Sequence, residues 1–260
     1  MSGQNDVYFR AYDDRGQGTS SHHLDLHIDL AAPSTSHNLI GTMDQNGWYV
    51  SPVGVQLRAV DGNTGHARVG VHEIRYRLDG GIWQVHSGDI KSFTVSTDGT
   101  HTVEYYAVDN VGNTESSHSV TFKIDATPPT APGDATETHG AVSGQWQKNW
   151  NDPDFTWGSS SDATSGLRFY HVYWKDELHL TDTPSYDPLP VRTGSYELHV
   201  RAQDWAGNVG PEGAAFTFRY DGTPPHAPEI QNNDGLASGV WQNDVRTANF
   251  SWPTPHDEGS

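Results

Sequence analysis

Apolar side chains along this chain recur at every second position rather than every third or fourth. Val53, Val55, Leu57 and Ala59 alternate with Gly54, Gln56 and Arg58; Val103, Tyr105 and Ala107 alternate with Glu104 and Tyr106; Val120, Phe122 and Ile124 alternate with Thr121 and Lys123. Successive side chains of a β-strand point to opposite faces, so this period of two predicts half-buried antiparallel strands. Ile74, Tyr76 and Leu78 form a further strand, and the Asp79-Gly80-Gly81 that follows signals a hairpin. The plan returns later with larger side chains: Phe155 and Trp157, then Tyr170, Val172 and Trp174, then Leu198, Val200 and Ala202, then Phe216, Phe218 and Tyr220. Trp157 and Trp174 share strand faces with the aliphatic residues and are expected in the core rather than on a ligand platform. Nowhere do apolar residues hold helical spacing over three turns, so the fold class is all-β.

One segment is written three times. It reads VYFRAYDDRGQGTSSHHLDLHIDLAAP at 7–33, VEYYAVDNVGNTESSHSVTFKIDATPP at 103–129 and LHVRAQDWAGNVGPEGAAFTFRYDGTPP at 198–225. Asp13, Asp109 and Asp204 correspond, as do Gly16, Gly112 and Gly207, and then Asp29, Asp125 and Asp221, with copies 95 or 96 residues apart. A second motif keeps the same period: Gly144-Gln-Trp146-Gln147 with Asp154-Phe-Thr-Trp157 returns as Gly239-Val-Trp241-Gln242 with Asn249-Phe-Ser-Trp252. Such a period is too long for a solenoid repeat and suits an immunoglobulin-like sandwich of roughly 100 residues. The prediction is the C-terminal strands of one repeat at 1–32, complete domains at 33–126 and 127–222, and the opening part of another repeat at 223–260. The outer pieces leave Val7, Phe9, Leu24, Leu26, Phe250 and Trp252 without the rest of their sandwich. They are expected to be the cut edges of repeats in a longer protein, the chain being a monomer; head-to-tail assembly through those edges is the alternative.

The loops and strands carry a family likeness. Gly47-Trp-Tyr-Val-Ser-Pro-Val-Gly-Val-Gln-Leu, Tyr76-Arg-Leu-Asp-Gly-Gly-Ile-Trp83, Phe93-Thr-Val-Ser-Thr-Asp-Gly-Thr-His-Thr-Val103 and Ala107-Val-Asp-Asn-Val-Gly-Asn113 resemble the bacterial Ig-like domains described as OmpL47-type. The second unit is similar to a fibronectin type III-like variant, through Phe155-Thr-Trp157, Gly166-Leu-Arg-Phe-Tyr-His-Val-Tyr-Trp174 and Arg201-Ala-Gln-Asp-Trp-Ala-Gly-Asn208. The likeness covers nearly the whole chain. It implies tandem antiparallel β-sandwiches in an extracellular or cell-surface setting, and it implies no reaction.

Composition narrows the partners. With 15 Lys plus Arg against 33 Asp plus Glu, a net charge of −18 repels phosphate backbones and anionic lipid heads, so nucleic acid is excluded as an expected partner. The absence of Cys excludes disulfides, thiolate nucleophiles and cysteine-held metals. No apolar run reaches the roughly 18 residues of a membrane span, and the start, Met1-Ser-Gly-Gln-Asn-Asp, is no secretory signal. Signal and anchor of an exported parent are therefore expected outside this sequence. The 9 Trp, 11 Tyr and 8 Phe supply enough bulk for sandwich cores and argue against disorder.

The candidate chemistry is sparse. No Gly-x-Ser-x-Gly elbow occurs, the paired acids Asp13/Asp14 and Asp257/Glu258 read as turn residues, and no catalytic residue is assigned. Of the neighbouring His22, His23 and His27, only His23 and His27 share a strand face, and solvated surface histidines are the simpler account. The Asp-x-x-Gly-Asn pattern at Asp109 and again at Asp204 fits a tight turn, whose Asp accepts from backbone amides two residues on while Gly adopts positive φ. The alternative is calcium, a hard cation with six to eight oxygen ligands, held by Asp109, Asp125, Asp204 and Asp221 at turns or domain junctions. Dense Asp-x-Asp-x-Asp-Gly spacing is missing, and the Pro-Pro pairs after Asp125 and Asp221 can stiffen the joints without a metal. Trp205 replaces the Asn110 and Asp14 of the other copies; it and Trp83 are the candidates for contact with a ligand, Trp205 either stacking on a sugar or packing on a neighbouring domain. The expected role is a structural spacer, with the adjoining Ig-like domains as partners. The alternatives are a glycan- or protein-binding adhesin module and an accessory region of a secreted glycoside hydrolase or protease.

Overall fold

A computed structural model of the chain describes residues 3–20, 22–44, 46–62, 69–227, 229–234, 238–239, 247 and 249–254. Trp241, Gln242, Asp257 and Glu258 lie outside the described residues. The chain divides into two units, one of Met1–Thr127, Ala163–Gly166 and Trp205–Asn208, the other of Pro128–Asp162, Leu167–Asp204 and Val209–Ser260. Among the described residues every regular element is a strand, and no helix is long and apolar enough to cross a membrane.

The first unit opens with an antiparallel ribbon of β1 (Gly3–Phe9) and β2 (His22–Ile28), in which Val7 lies opposite Leu24. There follow β3 (Ser34–Ile40), β4 (Trp48–Tyr49), β5 (Val53–Val60), β6 (Val71–Leu78), β7 (Gln84–Ser87), β8 (Ile90–Val95), β9 (Gly99–Asp109) and β10 (His118–Ile124). They form a three-stranded sheet, β3-β5-β8, and a five-stranded sheet, β4-β10-β9-β6-β7. Every pairing is antiparallel except the short β4, which runs parallel to β10.

The alternation read from the sequence is the alternation of burial. Val53, Val55, Leu57 and Ala59 of β5 turn inward against Ile74 and Tyr76 of β6, Val103, Tyr105 and Ala107 of β9, and Phe122 and Ile124 of β10. Each large side chain so buried contributes about 1.5–3 kcal/mol, which stabilises the two-sheet arrangement. Asp79 and Gly80, at φ 52° and 68°, make a type I′ turn closed by a bond from Gly81 N–H to the Leu78 carbonyl at 2.9 Å.

The second unit repeats the plan with β11 (Ala135–Glu137), β12 (Trp146–Gln147), β13 (Phe155–Trp157), β14 (Leu167–Trp174), β15 (Glu177–Thr181), β16 (Ser185–Tyr186), β17 (Gly194–Asp204) and β18 (Val209–Tyr220). Its sheets are β11-β13-β16 and β12-β18-β17-β14-β15, and β12 again runs parallel to its neighbour. Its core is aromatic: Phe155 packs on Trp174, Phe216 and Phe218 at centroid distances of 5.3, 5.4 and 6.2 Å, and Trp157 meets Tyr170 edge-on at 5.5 Å. Trp157 and Trp174 are buried there, as their strand positions require. Beyond it β19 (Gln231–Asn232) pairs with β20 (Phe250–Ser251). At the two ends Phe9, Phe250 and Trp252 are each more than half exposed.

Candidate functional site

The inward face of β5 does not stop at Ala59. Two residues further, at the same parity, stands Asp61, and on β9 the inward series Val103, Tyr105 and Ala107 continues to Asp109. Because β5 and β9 belong to opposite sheets of the first sandwich, the two acids close the same core from its two walls. Asp29, immediately after β2, joins them from the segment that enters the sandwich. All three are buried, and each offers one carboxylate oxygen to a cluster in which those oxygens lie within 4.8 Å of one another.

Local hydrogen bonding accounts for one oxygen each of Asp29 and Asp61 and for both of Asp109. Asp29 Oδ1 accepts from Ala31 N–H at 3.0 Å, and Asp61 Oδ2 accepts from Gly70 N–H at 2.6 Å. Asp109 anchors its own loop: Oδ1 accepts from the N–H groups of Val111 (2.9 Å) and Asn113 (2.8 Å), and Oδ2 accepts from the Asn113 side-chain amide at 2.7 Å. Gly112 follows at φ 95°, a left-handed conformation that only glycine adopts without strain, so the Asp-x-x-Gly-Asn motif is a side-chain-stapled turn. The Asn113 amide also donates to the main-chain carbonyl of Asp29 at 3.1 Å, which bridges two members of the cluster. In the same unit the next copy of the loop makes the matching bond, from Asn208 Nδ2 to the carbonyl of Asp125 at 2.9 Å.

A fourth acid, Glu115, works differently. Its carboxylate accepts from Thr35 N–H at 2.9 Å, from the Thr35 hydroxyl and from Ala107 N–H at 2.8 Å, and His118 lies 3.1 Å away, so it clamps the start of β3 to β9 with every partner in place. Among the described residues of this unit, Arg75 pairs with Glu73 and Arg77 with Glu104, and His72, His101 and His118 lie 3.9, 2.8 and 3.1 Å from Glu73, Asp79 and Glu115.

Asp125 is fully buried and accepts from Thr127 N–H at 3.2 Å and Ser165 N–H at 3.0 Å. Asp204 is fully buried at the inward end of β17, following Leu198, Val200 and Ala202. Asp221 accepts from Thr223 N–H at 2.9 Å in an Asx turn before the second Pro-Pro pair, and it belongs to no acidic cluster among the described residues. Of the four aspartates singled out in the sequence, Asp109 thus joins Asp29 and Asp61, two residues that sequence reasoning passed over as ligands. Trp83 is partly exposed, with the Arg77 guanidinium 4.7 Å over its ring and Tyr106 edge-on at 5.0 Å, and Arg77 is itself held by Glu104 at 2.7 and 2.8 Å. Trp205 is 48% exposed, and its carbonyl accepts from the Asn46 side chain at 2.9 Å.

No family model matches the chain, and no curated protein matches it. Among solved structures it is similar to the fibronectin(III)-like modules of Clostridium thermocellum CbhA, at 12% identity and a TM-score of 0.33, over 75% of this chain and 98% of that one. It is also similar to a structure from a 1.5-MDa bacterial ice-binding adhesin, at 15% identity and a TM-score of 0.34, over 82% of this chain and 72% of the other.

Proposed function

We propose that this chain is a non-catalytic spacer region of a cell-surface or secreted multidomain protein, made of immunoglobulin-like sandwiches that follow one another in sequence. The observation that carries the reading is the bond from Asn113 to the Asp29 carbonyl. Asn113 closes a loop of one sandwich, Asp29 ends the repeat segment before it, and their copies Asn208 and Asp125 are joined in the same way. The recurring Asn is therefore spent on holding consecutive repeat segments together. The recurring Asp is spent on the turn that presents that Asn. The likeness of these loops to Ig-like domains of bacterial extracellular proteins supports the setting, and the large net negative charge supports solubility at a surface.

A second reading, a glycan- or protein-binding module, is favoured by Trp205 alone, a half-exposed loop aromatic able to stack on a sugar ring. Replacing residues 33–222 in the parent protein by two unrelated β-sandwich repeats separates the readings. A spacer exchanged for another spacer leaves the parent's binding or activity intact. Loss of function in a chimaera that folds, reproduced by Trp205→Ala in the native chain, would assign the region a ligand of its own and overturn the spacer reading.

A further inference from the structure

We propose that Asp29, Asp61 and Asp109 form a binding site for a divalent cation of the calcium class. The grouping of acids is only the first observation. The second is that Asp29 Oδ2 and Asp61 Oδ1 are shut off from solvent with no hydrogen-bond partner, although the other oxygen of each carboxylate takes a backbone N–H. The three residues are 8, 6 and 2% exposed, so their carboxylates are largely withdrawn from bulk solvent. A buried carboxylate oxygen without a donor is rare because its desolvation is uncompensated, and two of them beside a third carboxylate add like-charge repulsion. One hard divalent cation placed among the three meets the orphan oxygens and offsets most of the cluster's negative charge at once. Nothing in the donor set is soft: three carboxylates suit calcium or magnesium rather than zinc or copper.

Geometry distinguishes the two. Calcium takes six to eight oxygens at about 2.3–2.6 Å in a flexible arrangement, whereas magnesium at about 2.1 Å demands a near-ideal octahedron, and three carboxylates held on three separate segments suit the more permissive ion. Asp29 belongs to the segment entering the sandwich, Asp61 follows β5 in one sheet, and Asp109 ends β9 in the other. A shared ion therefore ties the entering chain to both walls of the core, reinforcing what the Asn113 amide does with two hydrogen bonds. This goes beyond the spacer reading and does not depend on it, since a chain that binds no calcium can still serve as a spacer.

The test is calorimetric titration of the chelator-stripped full chain with calcium chloride, and separately with magnesium chloride, for the native protein and for Asp29→Asn and Asp61→Asn. Both amides keep an oxygen for the backbone N–H that the native carboxylate accepts. Expected is saturable calcium uptake in the range of about 10⁻⁴ to 10⁻³ M typical of extracellular modules, with magnesium weaker. Each variant loses the same single equivalent or weakens it tenfold or more. At calcium roughly ten times Kd, the folded-to-unfolded ratio of the first unit rises about elevenfold in the native protein and stays flat in the variants. If Asp61→Asn fails to fold, Asp29→Asn, which lies outside the sandwich strands, decides alone. No uptake up to about 10 mM, well above that affinity range, or the same isotherm and melting curve in native protein and variants, overturns the proposal.

Discussion

Changing Asn113 to Ala removes one amide that makes two bonds, at 3.1 Å to the Asp29 carbonyl and at 2.7 Å to Asp109 Oδ2. The first is a neutral bond, worth about 0.5–1.5 kcal/mol net, and the second ends on a carboxylate, worth about 1.5–3 kcal/mol. Both acceptors are buried or partly so, hence little of the loss is recovered by water. The expected destabilisation of the first sandwich is about 2–4 kcal/mol, a large share of the 5–15 kcal/mol that typically holds a domain together. For a sandwich of about 95 residues, with an unfolding entropy near 0.2 kcal/mol/K, this lowers the midpoint by about 10–20 °C. Thermal unfolding gives the total, and amide exchange of peptides from β9 and β10 localises it. Thr114→Ala is the control, since its hydroxyl makes only an exposed 3.4 Å contact to the Gly112 carbonyl. An Asn113→Ala protein whose midpoint matches that of the control would refute the clamp and remove the physical reason for the recurring Asn.

Four further outcomes are expected. Burial alone would raise the Glu137 carboxyl, but N–H donors from Ala141, Asp154 and His139 and the His139 ring hold it below its ordinary 4.5, so its contribution to stability is present above that value and lost as pH falls through the lowered one; Glu137→Gln should flatten the acid limb of a stability–pH curve. His139 is raised above its ordinary 6.5, chiefly by its bond to Glu137, so its contribution is present below 6.5 and lost as pH rises through the raised value; His139→Ala should flatten that limb. Lys175 and Asp176 form the β14–β15 turn at φ 54° and 62° without a glycine, so Lys175→Asn with Asp176→Gly should raise stability by about 1 kcal/mol in urea unfolding. Leu57→Ala, at a fully buried position of β5, should cost about 2.7–5 kcal/mol by the same measurement.

Much of the fold was legible because its causes are local. A strand declares itself through a period of two, and each inward series read from the chain lines a core in the structure. What escaped has identifiable causes. β4 and β12 are two residues long, too short for any periodicity, and their parallel pairing to β10 and β18 depends on where distant strands lie. The β14–β15 turn hid because Lys175 and Asp176 are poor advertisements for positive φ; the pairing of Trp174 with Glu177 across the hairpin imposes it. The surroundings of Trp83 also escaped, because the register that sets Arg77 opposite Glu104 carries the guanidinium over its ring. That register is a long-range property no window of sequence contains.

The aspartate cluster was half legible, and the missing half is instructive. Asp109 drew notice as a recurring turn residue, which it is: the turn engages both of its carboxylate oxygens and so gives no hint of the two acids beside it. The stronger signal was parity. An acid that continues an inward apolar series, as Asp61 continues Val53, Val55, Leu57 and Ala59, is placed by the pleat where a valine would otherwise sit. Such a position is costly for a charge unless something meets it. Two strands ending this way in opposite sheets of one sandwich put both charges at one end of one core, a coincidence visible from alternation and sheet order without any coordinates. Asp29 carries no such mark, because it stands in a connecting segment with no period. The chain marks it only as the repeat equivalent of Asp125 and Asp221, and its place beside Asp61 and Asp109 had to be found in space.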